Sequence, residues 1–138
     1  RCVLDALSVG YRMIDTAQAY LNEEAVGNAW KKSGVNRDEI FLVSKVWHSN
    51  YGEGQTMKSI DESLRKLQTD YIDLMLLHQP YCDRYGAYRD LEKAYKAGSN
   101  FALGFLIGLS SIEKYSNCFR LTITPRKGVK VIVVSKGI

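Results

Sequence analysis

The sequence predicts an α/β fold in which short parallel strands alternate with amphipathic helices, and three observations support that class. Brief apolar runs alternate with helical apolar stripes along most of the chain, the mark of βαβ units. Each run is apolar at nearly consecutive positions, as expected of strands covered on both faces. Polar side chains also collect at the ends of these runs: Asp15 and Tyr20 follow Arg12-Met13-Ile14, Lys45 closes Ile40 to Ser44, and His78 closes Tyr71 to Leu77. In a parallel β/α barrel the strands' carboxyl ends are where chemistry is placed.

The elements follow in order. Val3, Leu4 and Leu7 have helical spacing and stop at Gly10. After the first strand, Asn22 predicts a helix N-cap, followed by Glu23 and Glu24 where the helix dipole favours negative charge, with Gly34 as the stop. Ala25, Val26, Ala29 and Trp30 form its apolar side. The next helix carries the stripe Met57, Ile60, Leu64 and Leu67, with Lys58, Asp61, Glu62, Arg65 and Lys66 off it. A further helix is predicted from Tyr85 through Ala87, Tyr88, Leu91, Ala94 and Tyr95 to Gly98, with its charges on the opposite side. Beyond it the sequence predicts a strand at 103–109, an edge strand over 119–124 and a buried strand over 129–134 after Pro125 and Gly128. The connection between the last two is too short for a βαβ crossover.

The 138 residues fit one domain. A complete eight-stranded β/α barrel takes about 250 residues, so the expectation is a partial or truncated (β/α)8 TIM barrel with parallel strands, one incomplete domain over 1–138. The opening Arg1-Cys2 is read as the start of a processed or partial product. An incomplete barrel leaves open sheet edges, which makes room for a homo-oligomer in which a second copy completes the sheet.

Composition limits the function classes. The chain is 46% hydrophobic and 25% charged, the balance of a folded globular protein. The net charge of +4 is mild, and the local excess at Arg126, Lys127, Lys130 and Lys136 lacks the interleaved aromatic residues of a single-strand nucleic-acid surface. No glycine-rich phosphate-binding motif occurs, so a nucleic-acid partner is not expected and an anionic small molecule fits better. Cys2, Cys82 and Cys118 are odd in number and show no C-x-x-C spacing, arguing against a disulfide framework or a zinc site. No apolar run reaches membrane-spanning length and no signal pattern opens the chain, so the expected location is the cytoplasm, without a membrane partner.

Each polar strand-end residue has a plain structural explanation: Asp15 as a loop cap, Lys45 as a snorkelling lysine, Tyr20 as one of nine tyrosines. His78 is less easily dismissed, because it ends a buried run directly before Gln79-Pro80. Their joint placement favours a site for reducing a carbonyl group.

The same residues carry a resemblance. Gly10-Tyr11-Arg12-Met13-Ile14-Asp15-Thr16-Ala17-Gln18-Ala19-Tyr20, then Asn22-Glu23-Glu24 and Val26-Gly27, is similar to the signature of the aldo-keto reductases. The likeness continues through Ser44-Lys45-Val46-Trp47, Ser63-Leu64-Arg65-Lys66-Leu67, Asp70-Tyr71-Ile72-Asp73-Leu74 and His78-Gln79-Pro80. With Tyr81 and Tyr85-Gly86-Ala87 it resembles the bacterial-type branch that includes diketogluconate reductases, and it covers residues 4–98.

The resemblance implies NADPH-dependent reduction of an aldehyde or ketone. Tyr20 would protonate the carbonyl oxygen, and because phenols are weak acids a neighbouring cation, Lys45, would ease that donation. Asp15 would pair with Lys45 on the cofactor side, and His78 would orient the carbonyl and stabilise developing negative charge. Trp47 would line the substrate pocket together with His78. Gly108-Leu109-Ser110-Ser111-Ile112 is similar to the family's run that contacts the nicotinamide carboxamide, which makes Ser110 and Ser111 cofactor candidates, with Ser111 where the family has Asn. Val133-Val134-Ser135-Lys136-Gly137 resembles the segment that meets the adenosine 2′-phosphate, which makes Lys136 a candidate, although the segment's proline and serine are absent. The span between 112 and 129 leaves no room for further strands and helices that complete the family's cofactor cleft. A catalytically inactive homologue, serving as an interaction module or surviving as a remnant, is therefore the competing expectation.

Overall fold

A computed structural model describes residues 1–97 and the strand 103–105. Helix α1 (Cys2–Ser8) leads into β1 (Met13–Asp15), a 3-10 turn (Gln18–Tyr20) and α2 (Glu23–Ser33). After a second 3-10 turn (Arg37–Glu39) come β2 (Phe41–Val46), a third 3-10 turn (His48–Asn50), α3 (Gln55–Leu67), β3 (Leu74–Leu77), α4 (Arg84–Lys96) and β4 (Leu103–Phe105). The four strands form one parallel sheet in the order β1-β2-β3-β4. Sequential neighbours joined by helices make this an arc of β/α units, a partial barrel of the expected class.

The two-residue period of a strand sorts its side chains between two cores. Leu42, Val46, Met75 and Leu77 point to the helical layer, where they meet Val26, Trp30, Ile60, Leu67 and Leu91. Phe41, Val43, Leu74 and Leu76 form a separate cluster on the other face. Lys45 falls in register opposite Leu76 and so belongs to this second face, and the same alternation carries His78 there. Ser44, between Val43 and Lys45, turns instead toward the helices.

The helices pack in sequence, α1 on α2, α2 on α3 and α3 on α4. Gly27 lets α2 close on the end of α3: a Cβ there would stand 2.4 Å from the Lys66 carbonyl oxygen. Trp30 completes this contact by donating its indole N–H to the Leu67 carbonyl at 2.7 Å. On the opposite rim from the polar strand ends, Arg37 donates to Thr69, Ile40, Tyr71 and Asp73 and stacks over the Tyr71 ring.

Several expected boundaries shift. Strand β3 begins at Leu74 rather than Tyr71, because the Asp73 carboxylate takes the Leu42 N–H and Arg37 takes the Tyr71 carbonyl, substituting side chains for part of the ladder. Val46, not Lys45, ends β2. Asn22 sits at the N-cap of α2 but makes no capping bond, since its Oδ1 accepts from the Thr16 hydroxyl. Asp83 caps α4 through the Gly86 N–H.

The expected faces of α4 are also corrected. Tyr85 and Tyr95 are exposed, whereas Asp90 is buried. Its carboxylate accepts from the Gly54 and Met57 N–H groups at the start of α3, so a charge that looked solvated holds two helices together. The expected strand at 103–109 is described only as β4, and the strands at 119–124 and 129–134 lie outside the described residues. No helix among the described residues is long and apolar enough to cross a membrane.

Candidate active site

Four of the expected residues meet at one end of the sheet. Asp15 is the last residue of β1, and Lys45 is the penultimate residue of β2 on the same face. The Lys45 ammonium pairs with the Asp15 carboxylate and also donates to the Thr16 carbonyl at 3.0 Å. Its position is tightly held: the Lys45 side chain is 6% exposed, while Asp15 is 52% exposed and faces open solvent.

Tyr20 is carried by the turn after β1. Its ring lies beneath the Lys45 ammonium, 5.2 Å from nitrogen to ring centre, and meets the His78 ring edge to face at 5.8 Å. His78 follows β3 directly, its N–H donating to the Val46 carbonyl. Trp47, the first residue beyond β2, stands edge to face with His78 at 5.1 Å and tilts against His48 at 4.2 Å. The four polar groups and the indole therefore form one cluster.

Burial pushes the His78 imidazole below its ordinary pKa, and the Lys45 ammonium adds to that shift; Asp15 opposes it and His48 reinforces it. Neutral imidazole has one N–H and one lone pair. His78 Nδ1 is buried with no hydrogen-bond partner among the described residues.

Two side chains in this region were not singled out from the sequence as site residues. Gln18 accepts from the Trp47 N–H at 2.9 Å and from Asn50 Nδ2 at 2.8 Å, and donates to the Ser59 carbonyl and the Ser63 hydroxyl on α3. Glu23, expected only as a first-turn carboxylate favoured by the helix dipole, is buried and accepts from the Ser44 and Ser63 hydroxyls. The available signal was a long amide between Ala17 and Ala19, immediately ahead of Tyr20, but the sequence does not reveal what it reaches. A cleft of about 720 Å³ lies beside this network, with Gln18, Trp47, Asn50, Lys58 and Ser59 among its walls. Tyr20, Lys45 and His78 do not line it, and Trp47 stands between the cleft and their cluster.

Ser110, Ser111 and Lys136, the cofactor candidates near the end of the chain, lie outside the described residues. So does Cys118, while Cys2 and Cys82 are exposed free thiols.

Comparison with known proteins decides the family. The Aldo/keto reductase family matches residues 1–134, nearly the whole chain. This chain belongs to the aldo/keto reductase family. It is 49% identical over 100 residues to the glyoxal reductase of Bacillus subtilis, an alignment covering 72% of this chain and 36% of that protein. It is similar in structure to an aldo/keto reductase from Brucella melitensis, with a TM-score of 0.78 and 37% identity, covering 88% of this chain and 50% of the other. An aldo-keto reductase from Bombyx mori, solved in complex with NADP, gives a TM-score of 0.77 at 31% identity, covering 88% and 45%. The chain thus spans half or less of the length of these relatives.

Proposed function

We propose that this aldo/keto reductase chain carries the proton-donating half of an NADPH-dependent site that reduces an aldehyde or ketone to an alcohol. The observation that carries the reading is the convergence of Tyr20, Lys45, Asp15 and His78 at one end of three adjacent strands. The identity to a glyoxal reductase makes a small dicarbonyl the first substrate class to test.

The geometry supports a role for each of them. A carbonyl oxygen between Tyr20 and His78 receives a proton from the phenol while its carbon receives hydride. The fixed Lys45 cation stabilises the phenolate that develops, and Asp15 with the Thr16 carbonyl keeps the ammonium in place. His78, held neutral near pH 7 by its lowered pKa, donates one hydrogen bond to the oxygen and orients it. Trp47 shapes the apolar side of the pocket.

None of these side chains can release a hydride, so the donor set fits a reduced nicotinamide as co-reactant. When bound, NADPH supplies that hydride. Asp15 is the proposed cofactor contact among the described residues, and Ser110, Ser111 and Lys136 are the proposed further contacts, with residues 1–138 acting as one cytoplasmic domain.

The test follows NADPH oxidation by the purified chain with glyoxal as substrate, beside Tyr20→Phe and with the mass in solution measured on the same sample. Turnover that disappears in the variant, while its melting temperature is kept, is the expected result. A folded chain that neither binds NADPH nor turns over sinks the proposal and leaves a catalytically inactive homologue, an interaction module or a remnant.

A further inference from the structure

We propose that Gln18 is a positioning residue for this site: its side-chain amide, oriented by Glu23 through Ser63, holds the 47–50 turn so that the Trp47 indole stands against His78. The inference rests on the carbonyl-reduction reading only in calling the space beside Trp47 a substrate pocket.

The hydrogen-bond polarity fixes the amide. Ser63 has one hydroxyl proton, and it is donated to the buried Glu23 carboxylate at 3.2 Å. Toward Gln18 the hydroxyl can then only accept, so the Gln18 NH2 must face Ser63 at 3.0 Å, with its second hydrogen bond going to the Ser59 carbonyl at 3.1 Å. Oε1 is thereby turned the other way. There it receives the Trp47 backbone N–H and the Asn50 side-chain amide, the two ends of the turn that carries the indole.

Three elements are joined by this one side chain: the 3-10 turn bearing Tyr20, the 3-10 turn following Trp47, and α3. Trp47 has no other described hydrogen bond from its backbone N–H, and its ring meets only His48 and His78 in described ring contacts. Loss of the acceptor oxygen at Gln18 would therefore release the indole, and Gln18 itself is not among the residues of the apolar core.

The experiment needs no turnover. The chain is labelled with 5-fluorotryptophan, which gives one fluorine resonance for buried Trp30 and one for Trp47. His78→Gln is then introduced into three backgrounds at one pH above the His78 transition. In the unaltered chain, His78→Gln should move the Trp47 resonance and leave Trp30 in place. In Gln18→Met, which keeps the length of the side chain and removes its hydrogen bonds, that displacement should vanish. In Gln18→Glu, which keeps an oxygen toward the Trp47 N–H while setting its second oxygen against the Ser59 carbonyl and the Ser63 hydroxyl, it should be reduced but remain, although both variants melt at a lower temperature. A Trp47 displacement that persists in Gln18→Met overturns the proposal, as does one that is lost in Gln18→Glu or that merely follows melting temperature across the two. Because the readout is independent of NADPH, failure here leaves the reductase reading standing, and an inactive chain leaves the positioning result intact.

Discussion

Lys45 and Asp15 form an ion pair of unequal burial: the ammonium is almost wholly enclosed, whereas the carboxylate is half open to water. Only one partner has therefore lost its hydration, and the two substitutions should differ. Asp15→Asn keeps an acceptor oxygen but removes the negative charge beside a buried cation, and should lower stability by about 1–2 kcal/mol, less than for a fully enclosed pair. Lys45→Met removes the charge and fills similar space, so it should be close to neutral in urea unfolding. Carbonyl reduction should be lost in Lys45→Met. Equal destabilisation by both variants would show that the asymmetry has no energetic weight.

Asp90 reaches from α4 to the first turn of α3, where Gly54 offers no side chain to cap the helix. Its Oδ2 takes the Gly54 N–H at 2.6 Å and the Met57 N–H at 3.0 Å, the bonds an N-cap side chain would otherwise contribute to. Asp90→Ala should cost about 2 kcal/mol, because two amide donors lose a buried partner. Hydrogen exchange at the start of α3 should rise in the variant, and unchanged protection there would refute the capping role.

The division between what the sequence discloses and what it hides follows the range of the interactions. Phe41 to Val46 and Leu74 to Leu77 are legible because burial on both faces leaves a continuous apolar run. Asp15, Tyr20, Lys45 and His78 stand out because each interrupts or follows such a run with a reactive group. Asp90 and Glu23 look like ordinary helix-surface acids, Asp90 with Lys93 one turn on, since the partners that bury them lie 36, 33, 40 and 21 residues away and no local pattern encodes those. Tyr71 to Asp73 continued the apolar run and so extended the expected strand, although the Asp73 side chain and Arg37 occupy that part of the ladder.

Gly27 lies where α2 closes on the backbone at the end of α3. The atoms a Cβ would meet are backbone, the Lys66 oxygen at 2.4 Å and the Leu67 carbonyl carbon at 2.9 Å, so no rotamer change can relieve the clash. Gly27→Ala gains helix propensity of about 1 kcal/mol but must force the helices apart and strain the Trp30 hydrogen bond to Leu67. A net loss of about 2 kcal/mol is expected in denaturant unfolding. A variant as stable as the unaltered chain would mean that the α2–α3 contact can open without cost.

His78 should make the fold sensitive to mild acid. Its pKa is lowered first by burial and then by Lys45, so between its unfolded value near 6.5 and the lower folded value the unfolded chain binds more protons than the native one. Stability must therefore fall as pH drops through that window, and the penalty stops growing once the folded imidazole is also protonated. His78→Gln has no such proton to exclude. Urea midpoints measured at steps from pH 7.5 downward should decline more for the unaltered chain than for His78→Gln over this interval, with the carboxylates contributing alike to both. The same protonation would turn the imidazole from a single donor into a second cation facing Lys45, so carbonyl reduction should weaken over the same range. Parallel stability curves for the two chains would show that the folded state accepts the His78 proton as readily as the unfolded one.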